Sequence, residues 1–569
     1  MNESNLLYAA IELQRLGRNA EAKNTYLEIL NKLPNSELAL NNIGALEATL
    51  GNYGDACKYF AKLVNLFPTK INALINYASA LELCDNFNDA IEAYSRVLEI
   101  DPDNFKSLLR LGALFKRLGR ITEAQQIYKK VLALDPENLE ALNNLGNLLR
   151  DIGMIDDALS YLTKAANTHG GNETIYNNIA TIYSDIESYE KALKFYDLAL
   201  AKNPSHILAL NGKGNVLREL GKLEKAITYF QTAAAVDPCS LISQSNLAGA
   251  CIASKKNDDE KIFEAKRAIN TYLNNIKKEK SLPMSFFALK HHLGQAKYLE
   301  LNGIEVPGSK SFINSAEVLI NNFNSDESLI FLDESCYQKM REYFGAYLVY
   351  ETPKDVVYGL NPNNDWKKIE EEYFDSKETV AIDNFLSAEA LDALYKFCLI
   401  SKVWIREYPK CYLGAFGYQG FISRLHLKIA RELSEYLPRV FQDYLLSHLW
   451  AFKYDSKLGA GINVHADPAK VNVNFWLTPD EFNLEKDRGG LIVYSRRANE
   501  NWNFDAYNND QKKIYEYLSE GDQSQINIPY KRNRCVLFNS ILFHETDKID
   551  FCDVYEGRRI NMTYLFGQK

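Results

Sequence analysis

The chain repeats itself every 34 residues, and no other feature restricts its fold as strongly. Pro34, Pro68, Pro102, Pro136, Pro204 and Pro238 share one phase, with Gly170 in the slot between Pro136 and Pro204. Ala22, Ala56, Ala90, Ala124, Ala158, Ala192 and Ala226 share another. Four residues after each Ala stands a bulky residue: Tyr26, Phe60, Tyr94, Tyr128, Leu162, Tyr196 and Phe230. Gly17, Gly51, Gly119, Gly153 and Gly221 form a third phase, in which Asp85 and Glu187 take the two remaining slots. A small and a large residue at i and i+4 lie on one helix face. The small one admits a neighbouring helix and the large one fills the groove. Gly suits the turn between two helices, and Pro suits the start of the next repeat.

This pattern resembles the tetratricopeptide repeat family, in seven copies over about residues 3–240 plus a degenerate eighth. The resemblance implies an all-α solenoid over residues 1–255 with a concave inner surface. Such a surface is expected to hold a protein or peptide, and the plain alternative is a structural spacer. Six residues into successive repeats stand Asn42, Asn76, Asn144, Asn178 and Asn246, interrupted by Arg110 and Gly212. They fall on the first helix of each repeat, which lines the concave side in this family. A carboxamide carries both donor and acceptor, so it can pair with a peptide unit whatever its sequence. The spacing resembles the asparagine ladder of the O-linked N-acetylglucosamine transferase solenoid, which grips extended peptides. The alternative is that these Asn side chains cap or pack locally.

Bulk composition bounds the rest. A chain of 569 residues has room for several domains, and 46% apolar with 24% charged residues is ordinary for a soluble protein. A net charge of −9 gives no electrostatic reason to expect nucleic acid or an anionic membrane as partner. Nine scattered Cys without a C-x-x-C suit free thiols in a reducing compartment. The N-terminal segment lacks the basic and apolar regions of a signal peptide, and no long uncharged apolar run could span a bilayer. A cytoplasmic location is the expectation; the oligomeric state is left open.

After about residue 255 the period fades. Amphipathic helices over 256–365 are expected to cap the solenoid's last apolar face, and the turn-rich stretch 349–368 to lead into a second domain. From residue 366 to 569 the pattern changes. "ETVAIDNFLS" reads as a strand and "AEALDALYKFCL" as a helix. Then come runs at period two: "SHLWAFKYDS", "VNVNFWLT", "GGLIVYS", "NRCVLFNSILFHET" and "RRINMTYLFG". Helices followed by many strands predict an α+β arrangement around a β-sandwich or jelly roll.

One motif in this half carries chemistry. In "NVHADPAKVNVNFWLTP", His465 and Asp467 are two apart and project to one face in extended chain. Of the eight His, His544 ends a strand 79 residues later. Two imidazoles and a carboxylate on one face make a 2-His-1-carboxylate triad, which leaves three coordination positions open and suits Fe(II) oxygenases. "EGRRINMTYLF" adds Arg558 and Arg559; in a strand Arg559 shares its face with Asn561 and Thr563, and Arg558 with Ile560 and Met562. The polar face is the better pocket wall, so Arg559 is the better clasp for a carboxylate, with Arg558 the alternative. Asn472, Asn474 and Trp476 alternate on one face after the motif, either bordering a pocket or facing solvent.

"HAD…LFHET…RRINMTYLF" resembles the 2-oxoglutarate- and Fe(II)-dependent dioxygenases, nearest the prolyl-hydroxylase-like branch, over roughly residues 366–569. The resemblance implies a double-stranded β-helix (jelly-roll) core. It implies iron ligation by His465, Asp467 and His544, and binding of the cosubstrate's distal carboxylate by Arg559. Tyr454, eleven residues before His465, stands where this branch often carries a pocket tyrosine. The span from His544 to Arg559 is longer than usual in the branch. Fe(II), 2-oxoglutarate and O2 are the expected cofactor and cosubstrates. The expected activity is hydroxylation of a protein or peptide held by the repeats, on proline by family proximity. Asn42, Asn76, Asn144, Asn178, Asn246, Asn474 and Trp476 are the expected substrate contacts. The alternatives are a small-metabolite hydroxylase whose repeats serve assembly, and a non-catalytic repeat scaffold.

Overall fold

The computed structural model describes the chain apart from residues 1–2, 169, 280, 323–329, 333, 409, 456–460, 500–501, 503, 521–523 and 568–569, so His169 lies outside the described residues. Two compact units emerge, Met1–Gly212 and Lys213–Lys569.

The first unit is built from paired helices at the 34-residue spacing. Glu3–Arg15 with Asn19–Lys32 is the first pair, and Glu173–Asp185 with Tyr189–Lys202 the sixth. The reason lies in a contact that the sequence pattern only half reveals. Ala22, Ala56, Ala90, Ala124, Ala158 and Ala192 are fully buried on the second helices. The bulky residue four places on packs against the first helix of its own repeat at a small residue, which is Gly44, Gly112 or Gly146 in three repeats and Ala10, Ala78 or Ala180 in the other three. A Cβ on Gly44 would come within 2.8 Å of Phe60, one on Gly112 within 2.6 Å of Tyr128 and one on Gly146 within 2.6 Å of Leu162. The turn between paired helices needs a left-handed residue. Gly17, Gly51, Gly119 and Gly153 supply it with φ of +74°, +80°, +73° and +80°, and Asp85 and Glu187 adopt +56° and +57° in the same slot. Ser36, Asn104, Asn138 and Asn172 cap the first helices by accepting a backbone N–H three residues on.

The second unit mixes helices with antiparallel sheet. It begins with the last repeat helices and contains β1 (Leu282–Met284), β2 (Ile330–Leu332), β3 (Thr379–Ile382), β4 (Arg406–Tyr408), β5 (Tyr412–Phe416), β6 (Leu446–Tyr454), β7 (Val471–Trp476), β8 (Leu491–Arg497), β9 (Gln525–Ile528), β10 (Cys535–Asn539), β11 (Leu542–Thr546) and β12 (Ile560–Phe566). Seven strands form one sheet in the order β3-β10-β7-β12-β6-β5-β4, and three form another in the order β11-β8-β9. β1 and β2 pair by themselves inside the stretch expected to be purely helical.

Alternation gives the large sheet two different faces. Val471, Val473, Phe475, Ile560, Met562, Tyr564 and Phe566 join an apolar core with helix Ala388–Ile400 and helix Arg424–Tyr436. Ala248, Ile252, Ala265 and Ala268 of the last repeat helices belong to that same core. Arg431 on the sheet side pairs with Asp258 at 2.6 Å. This packing explains why the compact unit starts at Lys213, well before the fading of the repeat at about residue 255. The opposite face carries Tyr412, Tyr454, Trp476, Val536 and Phe538, which pack against Leu491, Val493, Ile528 and Leu542 of the small sheet.

The turn-rich stretch 349–368 is no free passage between domains. Glu432 Oε2 accepts from Gly359 N at 2.9 Å and Leu360 N at 2.7 Å, and Tyr350 N donates to Ser401 Oγ at 3.0 Å. Its Pro and Gly mark turns, but buried acceptors of the second unit tie them down. Among the described residues no helix is long and apolar enough to cross a membrane.

Candidate metal centre

His465 and His544 face each other across a two-residue antiparallel bridge. His465 N donates to His544 O at 3.0 Å, and His544 N to His465 O at 2.8 Å. Asp467 N donates to Ser540 O at 3.0 Å, which fixes the carboxylate's backbone beside the turn between β10 and β11. Helical residues hold the same segment from its other side: Gln511 Nε2 donates to Val464 O at 2.9 Å and Asn508 Nδ2 to Ala466 O at 3.2 Å.

One ligand-type atom from each of His465, Asp467 and His544 lies within 4.8 Å of the other two. The ring tautomers follow from the backbone. His465 Nδ1 lies 2.7 Å from Asn463 O and His544 Nδ1 3.1 Å from Leu542 O. A carbonyl only accepts, so each Nδ1 carries the proton and each Nε2 keeps its lone pair. Those Nε2 atoms point to the carboxylate, His544 at 3.4 Å from Asp467 Oδ2 and His465 at 3.9 Å from Oδ1. Loss of solvent and the neighbouring His544 lower the His465 pKa to about 4, against the opposing pull of Asp467. Two neutral imidazoles and an ionised carboxylate converging in this way are a donor set that fits a divalent first-row metal ion.

The triad lines a cavity of about 700 Å3. Its floor is the inner face of β6, β12 and β7, laid out in cross-strand rows. His448, Leu565 and Asn472 form the row nearest Asp467, then Trp450, Thr563 and Asn474, then Phe452, Asn561 and Trp476. Asn474, Asn561 and Thr563 line the cavity; Trp476, Tyr454 and Arg559 do not, and lie behind it in the interior. Trp476 was expected to touch substrate. It is instead fully buried, 5.7 Å from the Arg559 guanidinium, because the small sheet covers its end of the strand.

The two arginines differ in kind. Arg558 faces the helical side and pairs with Asp455 at 3.6 Å. Arg559 is 1% exposed and, among the described residues, makes no ion pair. Its Nε donates to Gly489 O at 2.6 Å, its guanidinium sits 5.1 Å from the Tyr454 ring, and Nη1 has no hydrogen-bond partner among the described residues. Burial lowers its pKa, with Tyr454 and Tyr530 opposing. Asn474 Oδ1, Asn561 Oδ1 and Trp476 Nε1 are also buried without partners. So many unmet polar atoms around one space are unusual for a protein interior.

Several residues of the site escaped the sequence reading. Tyr408 and Tyr412 stack with ring centres 4.8 Å apart, and Phe452 stands edge-on to Tyr412 at 5.2 Å, so β4, β5 and β6 give the cavity an aromatic wall. The alternation His448, Trp450, Phe452, Tyr454 carried that signal inside a run read only as a strand. Among the described residues, Asp467 is the only acidic one lining the cavity.

The expected asparagine ladder splits between the two units, since Asn246 lies beyond Gly212. Asn42, Asn76, Asn144 and Asn178 all lie half-buried on first helices of the first unit. Asn76 Nδ2 donates to Asn41 Oδ1 at 2.9 Å and Asn178 Nδ2 to Asn143 Oδ1 at 2.8 Å, each one repeat back. Asn76 and Asn178 therefore staple neighbouring repeats, and Asn178 Oδ1 also accepts from Asn177 Nδ2 at 3.4 Å.

Profiles of the tetratricopeptide repeat family match residues 8–71, 83–119, 116–176 and 177–238. No curated protein matches the chain. Among solved structures, a tetratricopeptide repeat protein from Parabacteroides merdae is similar at 16% identity and a TM-score of 0.39, over 43% of this chain and 97% of that one. Yeast Tom70 is similar at 20% identity and a TM-score of 0.38, over 53% and 59%. YrrB, described as a repeat protein with an unusual peptide-binding site, is similar at 22% identity and a TM-score of 0.26, over 32% and 93%. Residues 8–238 are thus tetratricopeptide repeats, a class of module that suggests protein–protein interaction.

Proposed function

We propose that the second unit is a 2-oxoglutarate- and Fe(II)-dependent dioxygenase, with a double-stranded β-helix formed by its two sheets, and that it hydroxylates a protein or peptide captured by the repeats. The observation that carries this reading is the convergence of His465, Asp467 and His544 at one end of a cavity whose inner strand face leads to an unpaired, buried Arg559. A lone buried guanidinium without a carboxylate is costly unless a ligand supplies one. Arg559 would clasp the distal carboxylate of 2-oxoglutarate, beside Tyr454. Arg558 is a poorer choice because Asp455 already neutralises it.

Iron, when bound with 2-oxoglutarate and O2, would supply the oxidant for a C–H bond, releasing succinate and CO2. The chain's own share is positioning. The backbone bridge between His465 and His544 holds the imidazoles as neutral Nε2 donors, and the aromatic wall offers a water-poor surface for the substrate. Proline rests on family resemblance alone.

The second reading is a non-catalytic repeat scaffold, and the repeat matches by themselves favour it. Hydroxylation of a small metabolite, with the repeats serving assembly, is the third. The deciding experiment measures succinate released from 2-oxoglutarate by the full chain with Fe(II), alone and with a protein extract. Extract-stimulated release lost in His465→Ala supports the first reading. Release stimulated equally by a protein-free metabolite fraction supports the third, and no release from wild type supports the scaffold.

A further inference from the structure

The sequence leaves Asn472 either bordering a pocket or facing solvent; it is fully buried and does not line the cavity. Its Nδ2 donates to Asp467 Oδ2 at 2.7 Å. β7 lies between β10 and β12, and Asn472 sits in register with Phe538 on one side and Leu565 on the other. Its backbone is thus clamped in mid-sheet, and its short side chain has little freedom. Asp467, by contrast, stands in a connecting segment, where a carboxylate could turn about its last bond.

We propose that Asn472 is a positioning residue that holds Asp467 so that it offers a metal ion one oxygen. The inference rests on the metal-centre reading above. An amide N–H on Oδ2, which also lies 3.4 Å from His544 Nε2, occupies one of that oxygen's two lone pairs and fixes the plane of the carboxylate. Oδ1, the atom on the His465 side, is left as the single ligand atom. A carboxylate that gave both oxygens would fill one of the three positions that a 2-His-1-carboxylate site keeps open for reactants. The donor must be a neutral amide or hydroxyl. An acid at residue 472 would repel or chelate, and an apolar residue would leave a buried carboxylate oxygen without its partner.

The test uses Co(II) alone, titrated into the full-length, metal-free protein and followed by its visible absorption, whose intensity reports coordination number. Asn472→Leu is expected to weaken Co(II) binding about 10- to 100-fold and to change the band intensity. Asn472→Thr keeps an O–H donor and suits a strand, and is expected to bind more tightly than the Leu variant with a band nearer wild type. A merely structural Asn472 would move the melting temperature of both variants but neither the band nor the affinity. The role of Asn472 is overturned if the Leu variant keeps the wild-type band and an affinity within about threefold, or if Thr does no better than Leu. Asp467→Ala separates the two levels. If that variant keeps the band, the metal-centre reading falls and this inference with it. If it loses the band while Asn472→Leu does not, only the role of Asn472 falls.

Discussion

The repeat unit and the second unit solve the same packing problem by opposite means. In the repeats one local rule is written over and over: a fully buried Ala, a large residue four places on, and a Gly or Ala on the partner helix to receive it, as with Ala56, Phe60 and Gly44, or Ala90, Tyr94 and Ala78. Every contact is near in sequence, so each copy restates the rule. In the second unit the triad gathers residues 465, 467 and 544, and the floor of its cavity comes from β6, β7 and β12. No stretch of chain states that arrangement twice. A periodic structure spreads its information and tolerates exceptions such as Asp85 and Glu187; a site concentrates it in a few side chains.

That contrast predicts where single substitutions are felt. The largest effect is expected at the triad. His465→Ala, Asp467→Ala or His544→Ala should each abolish 2-oxoglutarate-dependent succinate release, since a three-ligand site cannot spare one. Circular dichroism of the repeats should be unchanged. Wild-type succinate release by any of the three with added Fe(II) would show the triad to be misassigned.

Next come the two arginines, whose neighbours make opposite demands. Arg559→Ala should raise the apparent 2-oxoglutarate requirement at least about tenfold, because truncating a buried charge-assisted pair costs about 2–5 kcal/mol. Arg558→Ala should change that requirement much less but lower stability by about 3–5 kcal/mol, because it breaks the buried pair with Asp455. Steady-state kinetics and urea melts of both variants check the pair, and a reversed pattern would exchange their roles.

In the repeats, the double variant Asn144→Ala with Asn178→Ala should weaken capture of a protein substrate roughly 10- to 1,000-fold, at about 0.5–1.5 kcal/mol for each hydrogen bond lost. It should also cost the Asn178–Asn143 staple. Basal succinate release should stay at the wild-type level while extract-stimulated release falls. Equal stimulation would remove the ladder from peptide binding and leave it a stapling device. Gly112→Ala, which sets a Cβ 2.6 Å from Tyr128, should destabilise the first unit by about 1–3 kcal/mol in a urea melt. The smallest effect should be a gain. Glu187→Gly relieves a left-handed residue and should stabilise by about 1 kcal/mol. An unchanged midpoint would mean that Glu187 bears no strain.

The strands of the second unit were legible where alternation was strong, as in "VNVNFWLT" and "RRINMTYLF", which became β7 and β12. β4 and β9 were not: "REY" is three residues without an apolar alternation, and "QINI" alternates but over four residues only. The site was legible in its most polar members. His465, Asp467, His544 and Arg559 stand out because such residues in strand-like sequence need a reason to be buried. The aromatic wall was hidden, since Tyr412, Trp450 and Phe452 look like any strand's apolar face until a cavity opens beside them. Asn472 looked like its neighbour Asn474; only register and a 2.7 Å contact told the metal-side residue from the cavity-side one.

The sequence by itself determined the repeats, because their contacts join residues within one or two periods and helical geometry converts spacing directly into contact. It also determined which side of β12 is polar, because a strand's alternation is local. The tertiary structure alone decided what those polar residues meet. Which arginine pairs with Asp455 and where a compact unit begins depend on segments more than a hundred residues apart meeting at van der Waals distance; which Asn reaches Asp467 depends on how the chain turns over the five residues from Asp467 into β7. A helix or strand period carries no record of its distant neighbour. Only the packed chain, with Asp455 against Arg558 and the last repeat helices against the large sheet, contains it.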